Sequence, residues 1–195
     1  MKLVLASRNE HKLRELRAVL PGWTLEALEA EGFPAEEGAS FYENARAKAR
    51  FGRTAVAGDW VVGEDSGLEV DGLAGAPGIR SARYAGPGAN DEENVSRLLE
   101  ELWGIEGEGR RARYVCELVC LSPHGQELRA TGVLAGRIAE APGGTGGFGY
   151  DPVFVPAGET RTVAELGDEW KRERSHRAQA ARALADALRA PAAEL

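Results

Sequence analysis

The segment Ser7–Lys12, with the sequence SRNEHK, places a hydroxyl, an amide and three basic side chains directly behind the apolar run KLVLA. The residues that follow it, LRELRAVL, have the pattern of a helix. Ser7 or Asn9 could simply cap that helix. Basic side chains beside the positive end of a helix dipole are unfavourable, however, unless an anion is bound there. Free N–H groups, the hydroxyl, the amide and Lys12 would all suit a phosphate. The segment is therefore either an ordinary helix cap or a phosphate-binding loop.

The stretch VVGEDSGLEV contains a pair of acidic residues, Glu64 and Asp65, which we expect at the end of an apolar strand and ahead of a Ser-Gly turn. Neighbouring residues on a strand face opposite ways, so only one of them is expected to face a given site. A carboxylate there could hold Mg²⁺ or take a proton from water, and Glu36 or Glu37 could supply a second oxygen ligand. The alternative is an acidic surface turn without chemistry.

A glycine-rich stretch, PGGTGGFGYDP at residues 142–152, satisfies the pattern G-x-G-x-x-G. In a dinucleotide-binding fold this pattern opens a helix, whereas Asp151 and Pro152 followed by VFV predict a strand. We therefore exclude a Rossmann site, and the sequence also lacks the pattern of a P-loop ATPase. The glycines could instead let the backbone approach a flat ligand. Phe148 is then either a residue that stacks on that ligand or part of the core.

A basic run, KRERSHR at Lys171–Arg177, crosses into the last predicted helix near Ser175. Runs of this kind are usually solvated basic faces. Here the positive end of the helix dipole would add to the charges of His176 and Arg177, so the cluster repels itself unless an acceptor is present. The run is therefore either a solvated face or a second anion-binding segment.

Strands that could position these segments are predicted at residues 2–6, 23–28 and 61–64. Helices are predicted at about 40–57, 90–104 and from Ser175 onward, with capping-box spacing at Ser40 with Glu43 and at Asn90 with Glu93. RARYVCELVCLSPHGQELRATGVLAGRIAE reads as two long strands joined by a turn at SPHG. Strands and helices mixed with a central hairpin predict an α/β fold with a mixed β-sheet.

The 195 residues predict a single domain over 1–195, and the net charge of −7 argues against nucleic acid as a partner. No apolar run is long enough to cross a bilayer, so we expect a cytoplasmic protein that does not bind membranes.

Cys116 and Cys120 lie four residues apart in a predicted strand, about 13 Å from each other. A disulfide needs less than about 7 Å between the Cα atoms, so we expect reduced thiols.

Five segments together resemble, in order and spacing, motifs of the inosine triphosphate pyrophosphatase family of non-standard purine NTP pyrophosphatases. They are SRNEHK, EEGASFYENARAKA, GEDSGLEVDGLAGAPGIRSARYAG, GGFGYDPVF and KRERSHRAQA, and the resemblance runs from residue 3 to about 188. It implies hydrolysis of ITP, dITP and XTP to the monophosphate and pyrophosphate with Mg²⁺, by a homodimer. It also implies a long curved mixed β-sheet flanked by helices, in two lobes with the active site in the cleft between them.

The resemblance further implies roles for individual residues. Asp65 matches the family's metal ligand and general base, and Glu36 matches the other acidic metal ligand. The positions that match substrate contacts are Ser7, Arg8, Asn9, Glu10, His11, Lys12, Ser66, Phe148, Gly149, Tyr150, Asp151, Lys171, His176 and Arg177. Arg8 stands where the family usually has a small residue. Polar side chains and N–H groups of Ser7–Lys12 would thus replace the glycines of a P-loop around a triphosphate.

Two other functions compete with this interpretation. A Maf-like nucleotide pyrophosphatase also opens with a strand and a serine-bearing loop, but its pattern Ser-x-Ser-Pro-Arg is not found here. A non-hydrolytic nucleotide sensor or RNA-binding module could keep the basic loop and the aromatic residue. The net negative charge and the pair Asp65 and Glu36 argue against RNA, and Mg²⁺-dependent turnover would separate an enzyme from a sensor.

Overall fold

The computed structural model describes residues 2–20 and 22–189 of the chain. Within these ranges the strands are Lys2–Leu5 (β1), Thr24–Ala27 (β2), Trp60–Val70 (β3), Arg111–Leu121 (β4), Glu127–Ile138 (β5) and Phe154–Pro156 (β6). The α-helices are Glu10–Val19 (α1), Phe41–Ala55 (α2), Asp91–Glu101 (α3), Val163–Arg174 (α4) and His176–Arg189 (α5). Among the helices in these ranges, none is long and apolar enough to cross a membrane.

The strands form one sheet in the order β2-β1-β3-β4-β5-β6. β1 pairs in parallel with β2 and with β3, so Leu5 lies opposite both Ala27 and Val62. β5 pairs in antiparallel fashion with β6. Parallel neighbours on β1 require the crossover helices α1 and α2, whereas β4 and β5 follow each other through the short turn at residues 122–126. The predicted α/β fold with a mixed sheet is confirmed.

β3 differs from the predicted strand at 61–64, because it continues to Val70 without a turn. The expected Ser-Gly turn behind Asp65 is therefore wrong. Leu68 and Val70 are both fully buried and continue the alternation of an inward-facing strand past the polar residues. A run of polar residues marked the end of the strand in the sequence, but here it lies inside the strand.

Helix starts follow the predicted caps closely. The Ser40 side chain accepts a hydrogen bond from the N–H of Glu43 at 3.2 Å, at the start of α2. At the start of α3, Asn90 and Glu93 form a reciprocal capping box. The sequence patterns did not indicate α4, which precedes α5 and ends at Arg174.

The described chain forms two compact units. Unit one comprises the residues up to Asp65, Cys116–Gly132 and the residues from His176 onward, and unit two comprises Ser66–Val115 and Val133–Ser175. β3, β4 and β5 each contribute residues to both units. A single domain over 1–195 stays a prediction.

The core of unit one forms where α1 and α5 contact each other and pack on the sheet. Leu13 and Leu16 of α1 and Leu184 of α5 are buried there together with Leu3 and Leu118 of the strands. The last helix buries an apolar face in this core, since Ala181 and Leu184 are buried and Leu188 packs against the same cluster. Cys116 and Cys120 are free thiols in the same core.

The core of unit two is built around α3. Val95, Leu98 and Leu102 form a buried apolar stripe along this helix, and Leu99 packs against the same cluster. Phe154 of β6 is fully buried in the same cluster, which also contains Leu68, Val70, Ala112, Tyr114, Ile138, Tyr150, Val153 and Val163.

Two strand glycines let helices of unit one approach the sheet closely. A Cβ atom at Gly63 in β3 would lie 1.9 Å from the carbonyl oxygen of Ala45 in α2. A Cβ at Gly132 in β5 would lie 1.9 Å from the carbonyl oxygen of His176, at the start of α5. Backbone atoms in a helix cannot yield as a flexible side chain would, so only glycine fits at these two positions.

We expect Gly63→Ala to lower the free energy of unfolding by about 2–3 kcal/mol, because the added methyl group overpacks the contact between β3 and α2. Gly58→Ala is the matched control, since a Cβ there would meet nothing within 4 Å. Urea denaturation of both variants measures the difference. Equal stabilities for the two variants would show that the helix can move away from the strand at little cost.

Candidate functional site

Glu64 of β3 is a fully buried carboxylate held between two cations. The Nζ of Lys12, in the first turn of α1, lies 2.5 Å from its Oε2. The guanidinium of Arg177, in the first turn of α5, donates to its Oε1 at 3.0 and 3.2 Å. The first turns of two helices thus converge on one carboxylate of the sheet.

The ion pairs at Glu64 keep the group ionised. Burial opposes the charge, but the nearby charges of Lys12, Arg177 and Lys48 lower the pKa of Glu64 well below its ordinary value. Arg177 is only 2 % exposed and also pairs with Glu15 of α1. Burial acts to lower the pKa of Arg177, but the charges of Glu64 and Glu15 outweigh burial and raise it. Two cations and two carboxylates therefore balance one another in this cluster.

Asp65 follows Glu64 in β3 and meets different partners. Its carboxylate accepts hydrogen bonds from Nζ of Lys48 at 2.9 Å and from Nδ2 of Asn44 at 3.1 Å. Asn44 and Lys48 are four residues apart on α2, so both side chains lie on the same helix face. Lys48 also pairs with Glu36 at 2.5 Å. Glu64 and Asp65 therefore have different ion-pair partners, as expected for neighbouring strand residues that face opposite ways.

The surroundings of Asp65 favour its protonated form more than water would. Burial is the main cause, and the charge of Glu36 adds to it, so the pKa of Asp65 is raised although Lys48 and Lys12 act against this. For Lys48, burial favours the neutral form, but Asp65 and Glu36 raise its pKa. A carboxylate with a raised pKa is a better proton acceptor than an ordinary aspartate.

Glu36 and Asp65 share one ammonium group, so their oxygens face a common position. Oxygen ligands of this kind suit a hard divalent cation such as Mg²⁺, which keeps several waters and binds through one or two carboxylates. In the described part of the chain, no group of three or more His, Cys, Asp or Glu side chains is placed to hold a metal. Proteins usually bind Mg²⁺ through one or two carboxylates, whereas zinc takes more protein ligands, mostly His and Cys. Two carboxylates therefore suit magnesium better than zinc.

The loop behind β1 combines a helix cap with a tether. Oδ1 of Asn9 accepts from the N–H of Lys12 at 3.1 Å, and Oγ of Ser7 accepts from the N–H of Asn9 at 3.2 Å. The guanidinium of Arg8 donates to the carbonyl of Glu31 at 2.5 Å and lies 5.1 Å from the centre of the Phe33 ring. The helix-cap interpretation thus applies to Asn9, while Arg8 contacts the chain that leads to Glu36.

The other loop residues lie at the start of α1. Glu10 and His11 are exposed in its first turn, and Nδ1 of His11 lies 3.3 Å from Nη2 of Arg14. Lys12 lies on the same turn but reaches Glu64. At the start of α1, Asn9 therefore caps the N–H of Lys12, while the side chain of Lys12 pairs with Glu64.

In unit two, the glycine-rich loop closes on a buried ion pair. Nζ of Lys171 in α4 lies 2.7 Å from Oδ2 of Asp151, and the two residues are 5 % and 4 % exposed. The N–H of Phe148 donates to the same oxygen at 3.0 Å, and the hydroxyl of Tyr114 donates to Oδ1 at 3.3 Å. Lys171 also lies 4.5 Å from the centre of the Phe148 ring. The loop is thus held around Asp151.

Two residues of the basic run, Lys171 and Arg177, find acceptors within the protein. Arg177 pairs with Glu64 and Glu15, and Lys171 pairs with Asp151. The interpretation of the run as a solvated basic face is wrong for these two residues, because both side chains are buried. The carboxylates that neutralise them are far away in the sequence, except for Asp151.

The structure brings the predicted site residues together in two sets. In unit one, Lys12 and Arg177 meet at Glu64, while Asp65 and Glu36 meet at Lys48. The remaining members of this set are Ser7, Arg8, Asn9, Glu10, His11 and the buried His176. Unit two contains Ser66, Phe148, Gly149, Tyr150, Asp151 and Lys171.

The sequence patterns did not single out Lys48, Asn44 or Glu15. Asn44 and Lys48 lie on the face of α2 that also carries the buried Ala45 and Ala49. A lysine and an asparagine on a helix face of small buried residues are therefore the signal that could have identified them. Glu15 carries no such signal.

We expect Glu64→Gln to lower the free energy of unfolding by about 3–5 kcal/mol, because it leaves the buried Arg177 and the partly buried Lys12 without one of their compensating charges. Glu108→Gln is the matched control, since Glu108 and its partner Arg111 are exposed, and pairs of this kind contribute little. Chemical denaturation at neutral pH compares the two. A small effect in both variants would mean that water already screens the Glu64 cluster.

The cost of Glu64→Gln should depend on pH. The pKa of Glu64 is lowered in the folded state from its ordinary value of 4.5. Its contribution to stability is therefore complete above the unfolded pKa and is lost as the pH falls through the folded pKa. The stability difference between the unsubstituted protein and the variant should be constant near pH 7 and shrink below about pH 4.5. A difference that grows on acidification would contradict this sign.

Comparisons with known proteins agree with the motifs. The model of the Ham1 family matches residues 3–187. A dITP/XTP pyrophosphatase of Bdellovibrio bacteriovorus is 44 % identical over 96 % of this chain and 98 % of its own length. One of Methylococcus capsulatus is 48 % identical over 97 % of this chain and 96 % of its own length.

A solved structure agrees as well. The Staphylococcus aureus Ham1 protein superimposes with a TM-score of 0.85 at 36 % identity, covering 96 % of this chain and 98 % of that one. The resemblance found in the motifs is thereby confirmed over nearly the whole chain. The chain belongs to the Ham1 family.

Proposed function

We propose that the protein is a nucleoside triphosphate pyrophosphatase that hydrolyses the non-standard purine nucleotides ITP, dITP and XTP. Water attacks the α-phosphate, and the products are the nucleoside monophosphate and pyrophosphate. Relatives named dITP/XTP pyrophosphatase at 44 % and 48 % identity support this activity. The observation that carries the proposal is that Lys12, from the predicted triphosphate loop, pairs with Glu64, the chain neighbour of Asp65.

Asp65 is the proposed general base. Its raised pKa favours acceptance of the proton that the attacking water loses, and Lys48 and Asn44 fix the orientation of its carboxylate. General-base catalysis typically contributes on the order of 10²–10⁴ to the rate. Lys48 holds Asp65 and Glu36 together and so positions both carboxylates.

Glu36 and Asp65 are the proposed ligands of Mg²⁺. When bound, Mg²⁺ would neutralise charge that spreads over the phosphate oxygens during hydrolysis. The contacts of both carboxylates with one ammonium group support this assignment, because they show that the two carboxylates lie close to each other.

The start of α1 is the proposed triphosphate site. Free N–H groups at a helix N-terminus bind phosphate oxygens without the glycines of a P-loop. Ser7, Asn9 and Lys12 supply a hydroxyl, an amide and an ammonium there, and we include Arg8, Glu10 and His11 in the same set. Ser66, Phe148–Asp151, Lys171, His176 and Arg177 are the other proposed substrate contacts.

Recognition of the base requires a hydrogen-bond donor for O6 and an acceptor for N1–H. Adenine presents the reverse pattern, an acceptor at N1 and a donor at position 6, so neither group would find a hydrogen-bond partner in the site. Arg177 is already held by two carboxylates, and Asp151 already accepts from three donors. Backbone groups of the Phe148–Asp151 loop are therefore favoured as the groups that distinguish the base, while Phe148 stacks on it. Sites built on buried hydrogen bonds discriminate by roughly 10⁴–10⁵.

We further propose a homodimer in the cytoplasm, with the whole chain folding as one domain. The two free, buried thiols support a reducing compartment. The consequence in the cell would be removal of deaminated purine nucleotides before polymerases incorporate them into DNA and RNA.

Incubation of the purified protein with ITP, XTP, dITP, ATP and GTP in Mg²⁺ tests the proposal. We expect pyrophosphate as the primary product and preferential turnover of ITP, dITP and XTP. Release of orthophosphate first would mean cleavage at the γ-phosphate and a different mechanism. Binding without turnover would favour a nucleotide sensor, and turnover of pyrimidine or modified nucleotides instead would favour a Maf-like activity.

We expect Asp65→Asn to lower kcat with ITP by roughly 10²–10⁴, because the amide cannot accept the proton from water. Asp71→Asn is the matched control, since Asp71 lies exposed just after β3. Steady-state kinetics and a melting curve for each variant separate loss of chemistry from loss of folding. Retention of full activity by folded Asp65→Asn would assign the base to another group.

A further inference from the structure

Asp91 links the start of α3 to the glycine-rich loop. Its Oδ2 accepts a hydrogen bond from the N–H of Gly149 at 2.6 Å, although the two residues are 58 positions apart. Both belong to unit two. Gly149 adopts a left-handed conformation with φ of +62°, so its N–H direction is set by a backbone geometry that favours glycine. The contact therefore acts on the turn between Phe148 and Tyr150.

The loop is fixed on both sides of this contact. Before it, the N–H of Phe148 donates to Asp151, which pairs with Lys171. After it, the hydroxyl of Tyr150 donates to the carbonyl of Ser81 at 2.9 Å. Three contacts thus hold three successive residues of the loop: Asp91 holds Gly149, the carbonyl of Ser81 holds Tyr150, and Lys171 holds Asp151. Of these three contacts, only the one to Asp91 is exposed.

The element that carries Asp91 is well anchored. Asn90 and Glu93 form a capping box around the first turn of α3, and Val95 and Leu98 are buried beneath it. A carboxylate in the first turn is also favoured by the helix dipole. Asp91 is therefore a preorganised acceptor whose hydrogen bond to Gly149 is charge-assisted.

We propose that Asp91 is a positioning residue that holds the Phe148–Asp151 loop in the conformation that binds the purine base. The inference rests on the proposed function, because the base is the ligand that the loop would receive. Asp91 lies on a different element from the proposed catalytic residues, and it acts on a backbone N–H rather than on a phosphate. Its loss should therefore weaken substrate binding and leave the hydrolytic step nearly unchanged.

Three variants test the role. Asp91→Ala removes the acceptor, Asp91→Asn keeps an oxygen acceptor without the charge, and Glu92→Ala removes a neighbouring first-turn carboxylate of α3. We expect Asp91→Ala to raise KM for ITP about tenfold or more, on the scale of a hydrogen bond to a charged group, with kcat changed less than about twofold. Asp91→Asn should restore most of the affinity, and Glu92→Ala should match the unsubstituted protein.

Hydrogen–deuterium exchange of the free protein gives a readout that needs no turnover. We expect faster exchange in peptides that cover Phe148–Asp151 in Asp91→Ala, with little change in Asp91→Asn and none in Glu92→Ala. Melting temperatures of the three variants check that α3 remains folded. Should Asp91→Ala not fold, the comparison of Asp91→Asn with Glu92→Ala still applies. Asp91→Asn should then exchange slightly faster in the loop than Glu92→Ala, by less than is expected for Asp91→Ala.

The outcomes separate the two proposals. Unchanged loop exchange in Asp91→Ala, or a loss of kcat at constant KM, would overturn the positioning role. An equal rise of KM in Glu92→Ala would also overturn it, because the cause would then be the charge of the helix start. Absence of nucleotide turnover in the unsubstituted protein would overturn the proposed function instead, and loop exchange would still decide whether Asp91 holds the loop.

Discussion

Two adjacent carboxylates inside β3 set the main constraint on this fold. Glu64 and Asp65 are both buried, and a buried charge is costly unless it is paired and hydrogen-bonded. Because neighbouring strand residues point in opposite directions, the two carboxylates have different ion-pair partners, although the charges of Lys12 and Lys48 act on both. Lys12 and Arg177 compensate Glu64, and Lys48 compensates Asp65. The packing of three helices against β3 therefore follows from the charges as well as from the apolar residues.

Close approach of the backbone makes this compensation possible. Gly63 immediately precedes the acidic pair and lets α2, which carries Lys48, contact the strand. Gly132 in β5 lets the start of α5, where Arg177 is located, approach that strand closely. A side chain at either glycine would push the helix outward and lengthen the ion pairs. Steric and electrostatic requirements are thus met by the same contacts.

The sequence predicted the fold class, the helix caps and the family because these depend on local patterns and ordered motifs. It misplaced the end of β3, since the polar residues before Leu68 look like a turn when their buried partners are unknown. The importance of Lys48 also escaped prediction, because its partners Asp65 and Glu36 come together only in the folded chain. Local signals identify an element, whereas the pairing of buried charges depends on contacts distant in sequence.

The pairing of cations changes the electrostatic account of triphosphate binding. A cluster of unpaired basic residues would attract a triphosphate by charge alone, but Lys12 and Arg177 already meet Glu64, and Lys171 meets Asp151. A triphosphate would therefore have to be neutralised chiefly by the N–H groups at the start of α1 and by a divalent cation on Glu36 and Asp65. The ion pairs would then fix geometry, while binding of the nucleotide would depend strongly on the metal. Rigid, neutralised side chains also lose little conformational entropy on binding, so the network favours a preformed site.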